Sequence, residues 1–157
     1  MTIQATKKLQ DFLGIKETEV PSDGKPMHLW HGNIFMIGRK KCLLLTHNES
    51  YCSVFVYGMT KKEMKHLPLI VEKYLQELLI RDDFTRSQIV KMIETIKPLS
   101  FAKISDRKVQ GVMNDMVHML KYYNMTESEL DLSTKLNDTP YKRKDFAYPR
   151  DALKSIL

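Results

Sequence analysis

Cysteine is scarce in this chain of 157 residues, which holds only Cys42 and Cys52. Two are too few for a disulfide framework and fit a reducing compartment, so the expected location is cytoplasmic. Long apolar runs are missing as well. None approaches the roughly 20 residues that cross a bilayer. The opening Met1-Thr2-Ile3-Gln4-Ala5-Thr6-Lys7-Lys8 lacks the apolar stretch of a secretory signal, and no membrane association is expected. The six glycines (14, 24, 32, 38, 58 and 111) are scattered. Neither G-x-G nor G-K-[ST] occurs, which removes the phosphate-cradling loops. There is no G-x-S-x-G elbow for a serine nucleophile. His28-Leu29-Trp30-His31 has an H-x-x-H spacing, but it lacks the partner ligands that make a zinc signature specific. No metal and no cofactor are expected.

The remaining composition is that of an ordinary globular domain, 43% hydrophobic and 28% charged, with a formal net charge of +6. A single domain over 1–157 is the default at this length. The basic excess is spread evenly: residues 1–58, 59–98 and 99–157 each carry a net +2. Only Arg39-Lys40-Lys41 and Lys142-Arg143-Lys144 form basic runs. Such runs are usually solvated turns. Folding can still gather dispersed charges onto one face.

Periodicity assigns the elements. A short strand around Ile3 leads into a helix with Thr6 as N-cap, Leu9, Phe12 and Leu13 on one face, and Gly14 as its stop. Residues 16–28, with Pro21, Ser22-Asp23-Gly24 and Pro26, carry turn chemistry. Trp30–Ile37, Cys42–His47 and Tyr51–Tyr57 read as three strands of an antiparallel meander. Thr60-Lys61-Lys62-Glu63 has capping-box spacing, and Pro68 kinks this helix or starts a second one. Thr85-Arg86-Ser87-Gln88 opens another helix, which Pro98 ends. Leu99–Ile104 is extended. The most regular helix covers about Asp106–Tyr123, with Val109, Val112, Met113, Met116, Val117 and Leu120 in one stripe. Residues 124–157 read as an irregular extension closing in a short helix after Pro149. The fold class expected is α+β, an antiparallel β-meander packed against several α-helices.

Strand side chains alternate, so the turns assign faces. Turns centred on Arg39-Lys40 and Asn48-Glu49 place Trp30, Ile34, Met36, Leu43, Leu45, Cys52, Val54 and Val56 on a core face. The other face joins apolar Phe35, Ile37, Cys42, Leu44, Phe55 and Tyr57 to a polar end of His31, Asn33, Thr46, Tyr51 and Ser53. That polar end could line a pocket, form a solvated edge, or be satisfied by a covering helix. Cys42 and Cys52 fall on opposite faces. On the helix from Asp106, the polar arc holds Arg107, Gly111, Asn114, Asp115 and His118. A mid-helix glycine costs about 1 kcal/mol relative to alanine, which points to a close approach at Gly111 or to a tolerated accident.

Several stretches together resemble a bacterial domain family of unknown function. They are Ala5-Thr6-Lys7-Lys8-Leu9, Trp30-His31-Gly32-Asn33-Ile34, Thr46-His47-Asn48-Glu49 and Ser105–Met116. The family shows a T-K-K-L-like helix, an aromatic-x-A-N segment, a V-N-[DE] turn and an S-x-R-S-V-L-G-S-M-N-D helix. The likeness spans about residues 2–122, with Gly32 in place of Ala, Lys108 of Ser and Gln110 of Leu. It implies signature positions at Asn33, Asn48, Arg107, Gly111, Asn114 and Asp115, and a prokaryotic or mobile-element origin. It carries no catalytic residue.

The sequence therefore leads to a non-catalytic binding, regulatory or accessory protein that engages nucleic acid or an acidic protein. Its candidate binding residues are His31, Asn33, Thr46, Asn48, Tyr51, Ser53, Arg107, Gly111, Asn114 and Asp115. The alternative is an enzyme with a small-molecule pocket between the sheet and the helix from Asp106. It would use His31, Asn33, Tyr51, Arg107 and Asp115, with His31 as acid/base. An oligomeric structural module would instead show a large apolar patch.

Overall fold

The computed structural model describes residues 1–15, 25–123, 126–141 and 148–157. The Pro21 to Gly24 turn, Met125 and the Lys142-Arg143-Lys144 run lie outside the described residues. Strand β1 (Thr2–Ala5) runs into helix α1 (Lys7–Leu13). The Thr6 side chain accepts from the Leu9 amide, and Gly14 closes the helix at a left-handed φ of 69°. A short 3-10 turn (Pro26–His28) leads into β2 (Leu29–Ile37), followed by β3 (Lys40–His47) and β4 (Ser53–Tyr57). Then come α2 (Lys61–Met64), α3 (Leu67–Arg81), α4 (Arg86–Glu94), β5 (Ser100–Lys103) and α5 (Arg107–Tyr122). Helices α6 (Glu129–Asn137) and α7 (Pro149–Ile156) close the described chain. The expected capping box forms at Thr60 with Glu63, and the helix expected from Thr85 opens on a second one, with Gln88. Pro68 sits in the first turn of α3, where its missing amide is harmless.

The α+β class holds, but the sheet is mixed. Its order is β4-β3-β2-β1-β5. The β2–β3–β4 meander is antiparallel, while β1 lies between β2 and β5 and is parallel to both. Parallel neighbours need a crossover connection, and α1 lies on the path from β1 to β2. The reversals also differ from expectation. Ile37 pairs with Lys40 across a Gly38-Arg39 turn, and Thr46 pairs with Ser53. Each register is displaced by two residues from the expected one. Two is the side-chain period, so no residue changes face.

Helices cover the sheet on both sides. Ile3, Trp30, Leu43, Leu45 and Val54 pack with Leu9 of α1, with α3, Met92 of α4 and Leu153 of α7. Phe35, Cys42, Leu44 and Phe55 pack with Met113, Met116 and Leu120 of α5 and with Leu132 and Leu136 of α6. Gly32 leaves no room for a side chain under α1: a Cβ there would lie 2.7 Å from Ile3 Cγ2 and 2.8 Å from Leu9 Cδ2. Met36 departs from its expected core role and is 46% exposed, because β1 ends before reaching it. Cys42 and Cys52 are buried, free and on opposite faces. Among the described residues, no helix is long and apolar enough to cross a membrane.

Residues 124–157 are not irregular throughout, since α6 lies within them. Ser128 and Asp131 form a capping box at its start. One turn of α6 then seals the outer edge of β4. Asn137 accepts from the Ser53 amide at 2.8 Å and donates to the Ser53 carbonyl at 2.9 Å. Ser133 Oγ accepts from the Phe55 amide at 3.0 Å. An open strand edge invites pairing with other chains, and two polar side chains four residues apart close this one.

Candidate functional site

Four of the ten sequence candidates, His31, Asn33, Thr46 and Ser53, lie on the sheet face beneath α5, and two more, Asn48 and Tyr51, lie in the adjoining β3–β4 turn. His31 opposes Thr46, Thr46 opposes Ser53, and Gln4 of β1 opposes His31, which makes a polar row across four strands. His31, Thr46 and Ser53 are fully buried. Thr46 and Ser53 share a hydroxyl hydrogen bond of 2.9 Å, and the Ser53 hydroxyl lies 3.1 Å from Met116 Sδ. Asn33, two residues along β2, accepts from the Thr6 hydroxyl at 2.9 Å.

His31 begins a directional chain. Its Nδ1 donates to Asn48 Oδ1 at 2.7 Å, Asn48 Nδ2 donates to Gln4 Oε1 at 3.3 Å, and Gln4 Nε2 donates to Ser105 Oγ at 2.9 Å. The direction follows because the Asn48 amide nitrogen is already committed to Gln4. Burial lowers the His31 pKa, against the opposing pull of Asn48 and Asp106. Burial therefore favours the neutral imidazole. These groups join β1, β2, the β3–β4 turn and the loop before α5, and they hydrogen-bond to one another beneath a covering helix, while His31 Nε2 is buried outside this chain of bonds. Tyr51 sits in that turn at a positive φ of 61°, uncommon for a bulky residue.

The other four candidates do not join them. Arg107, Gly111, Asn114 and Asp115 are exposed on α5, while Val109, Met113, Met116 and Leu120 face the sheet. A Cβ at Gly111 would meet nothing within 4 Å, so no close approach explains that glycine. The helix stands between the two sets. Among the described residues, no group of three or more His, Cys, Asp or Glu could hold a metal ion.

The surface instead offers a basic cleft that none of the ten candidates lines. It is about 630 Å³, lined by Ile34, Phe35 and Met36 of β2, Lys8, Asp11 and Phe12 of α1, and by Lys41, Lys61 and Lys121. A smaller cleft of about 320 Å³ shares Asp11, Phe12 and Lys61 with it and adds Lys65. The one carboxylate in these walls, Asp11, is bridged to Lys7 at 3.1 Å. Lys41 Nζ lies 4.3 Å above the Phe12 ring. These lysines come from four separate elements, 113 positions apart at the extremes (8 to 121). Only the fold brings them together, and the Arg39-Lys40-Lys41 run contributes Lys41 alone.

A mixed five-stranded sheet with helices on both faces, one edge sealed by α6 and a lysine-lined cleft beyond β1, defines a three-layer α+β domain. The chain belongs to a family described as Domain of unknown function (DUF6933), whose model matches residues 2–152. That match extends past the 2–122 stretch that carried the sequence resemblance. No curated protein and no solved structure matches the chain.

Proposed function

We propose that the protein is a non-catalytic binding module that holds an acidic macromolecule in the lysine cleft. The observation that carries this reading is the convergence of Lys8, Lys41, Lys61 and Lys121 around one opening whose single carboxylate is already paired. Ammonium groups on flexible stems attract and retain polyanions, and their summed field steers the encounter. The enzyme alternative gains no support: Arg107 and Asp115 lie across α5 from buried His31.

The test is fluorescence anisotropy with two labelled probes, a glutamate-rich octapeptide and an oligothymidylate of eight nucleotides. At least one should bind at low ionic strength and weaken about tenfold or more between about 50 mM and 200 mM salt. The exposed triple substitution Lys41→Glu, Lys61→Glu, Lys121→Glu should lose about tenfold or more with an unchanged circular dichroism spectrum. If neither probe binds, or the triple variant binds as well as the parent, the cleft is not the site.

A further inference from the structure

We propose that the occupant of the cleft is an extended acidic peptide that adds a strand to the open edge of β2, an inference that rests on the cleft being the binding site. β1 pairs with β2 only as far as Gly32, whose carbonyl accepts from Thr6 N as the chain turns into α1. β2 and β3 continue together to Ile37 and Lys40. From Asn33 to Ile37, β2 therefore runs on for about 17 Å with no strand on its outer side among the described residues. The Gly32 carbonyl points to that side. Backbone groups alternate along a strand, so those of Ile34 and Met36 point there too.

The two meander edges are treated differently. The amides of Ser53 and Phe55 on β4 are taken up by Asn137 and Ser133. The edge at Ile34–Met36 forms part of the cleft and is surrounded by lysines instead. Lysine beside an edge is a common guard against aggregation. The same guard is selective: it repels a basic strand, gives a neutral one nothing in exchange for desolvating the ammonium groups, and admits an acidic one. Charge stands on both sides of the sheet plane. Lys41 opposes Met36 in the ladder on the α1 side, and Lys121 lies on α5, which covers the other face. An added strand projects side chains alternately to the two sides, so carboxylates at successive positions find partners. This is the strand-addition mode of peptide recognition, with backbone bonds giving affinity and side chains giving selection.

A nucleic-acid single strand fits less well. Its bases need an exposed aromatic face to stack on. Of the two rings in the cleft wall, Phe12 is covered by the Lys41 ammonium and Phe35 is buried.

The deciding experiment compares the glutamate-rich octapeptide with two derivatives N-methylated on alternate amides, one in each phase, leaving the charge intact. Strand addition expects one phase to weaken binding about tenfold or more and the other to change it little. Met36→Pro, which removes an amide on the outer side of an edge where proline is tolerated, should weaken the parent peptide similarly. If this variant fails to fold, the methylated pair decides alone. Equal binding of all three peptides shows retention by charge only and overturns strand addition, while the cleft reading stands. The oligothymidylate binding more tightly and displacing the peptide overturns it in favour of nucleic acid. Light scattering that shows a dimer closed to peptide gives the edge to a second copy, and again overturns it. Failure of every probe to bind removes the cleft reading itself.

Discussion

Asp82 closes α3 with one carboxylate oxygen buried and without a hydrogen-bond partner among the described residues. Burial pushes its pKa up to about 6 from 3.8, with Arg150 pulling back and Asp138 adding to the push. Between those values the folded protein holds a proton that the unfolded chain has lost, so stability falls as pH rises through that window. Above it the carboxylate is a net cost of up to about 3 kcal/mol. His31 acts in the opposite sense. Its folded pKa lies below 6.5, so its contribution is present above 6.5 and is lost as pH falls toward the folded value. Asp82→Asn should raise the melting temperature at pH 7, and the gain should shrink toward zero as the pH falls to about 4. Comparing parent and variant at each pH cancels the His31 term. A pH-independent difference in melting temperature contradicts this assignment. The His31–Asn48–Gln4–Ser105 chain shows what one sequence can reveal at this scale. His31 and Asn48 stand out through composition and turn position, whereas Gln4 and Ser105 join only through the β1–β2 register.

At the scale of elements, α6 determines whether the meander ends in a sealed edge. Ser133→Ala strands the Phe55 amide, and Asn137→Ala strands both polar groups of Ser53. Each buried group left unpaired costs about 1–3 kcal/mol. Asn137→Ala should therefore lower the urea midpoint more than Ser133→Ala, and hydrogen exchange at Ser53 should accelerate. Unchanged exchange would mean that α6 merely lies beside β4. This helix was hidden because its capping acid is Asp131 rather than Glu or Gln, and because its inward face mixes Ser133 and Asn137 with Leu132 and Leu136. The meander was legible for the converse reason. Apolar alternation marked all three strands, and a two-residue displacement at each turn left every face intact. The insertion of β1 between β2 and β5 was not legible. A four-residue strand carries no mark of parallel partners that lie 27 and 98 residues further on, from Thr2 to Leu29 and to Ser100.

Across the whole molecule, the charge acquires meaning only through topology. A net +2 in each third of the chain gives no tail, arm or patch. The early end of β1 leaves β2 bare, α1 carries Lys8 along one wall, and α2, β3 and α5 bring Lys61, Lys41 and Lys121 to the others. The motif positions point elsewhere, to a buried polar row and to the exposed side of α5, where they stabilise the fold or face solvent. The most direct test of the cleft is a titration of isotope-labelled protein with the glutamate-rich octapeptide, read as amide shift changes by NMR. The largest changes should fall on Ile34, Phe35 and Met36 and on the backbone beside Lys8, Lys41 and Lys121, saturating together. Changes spread evenly over all the surface lysines, or centred on Arg107, Asn114 and Asp115, would contradict it.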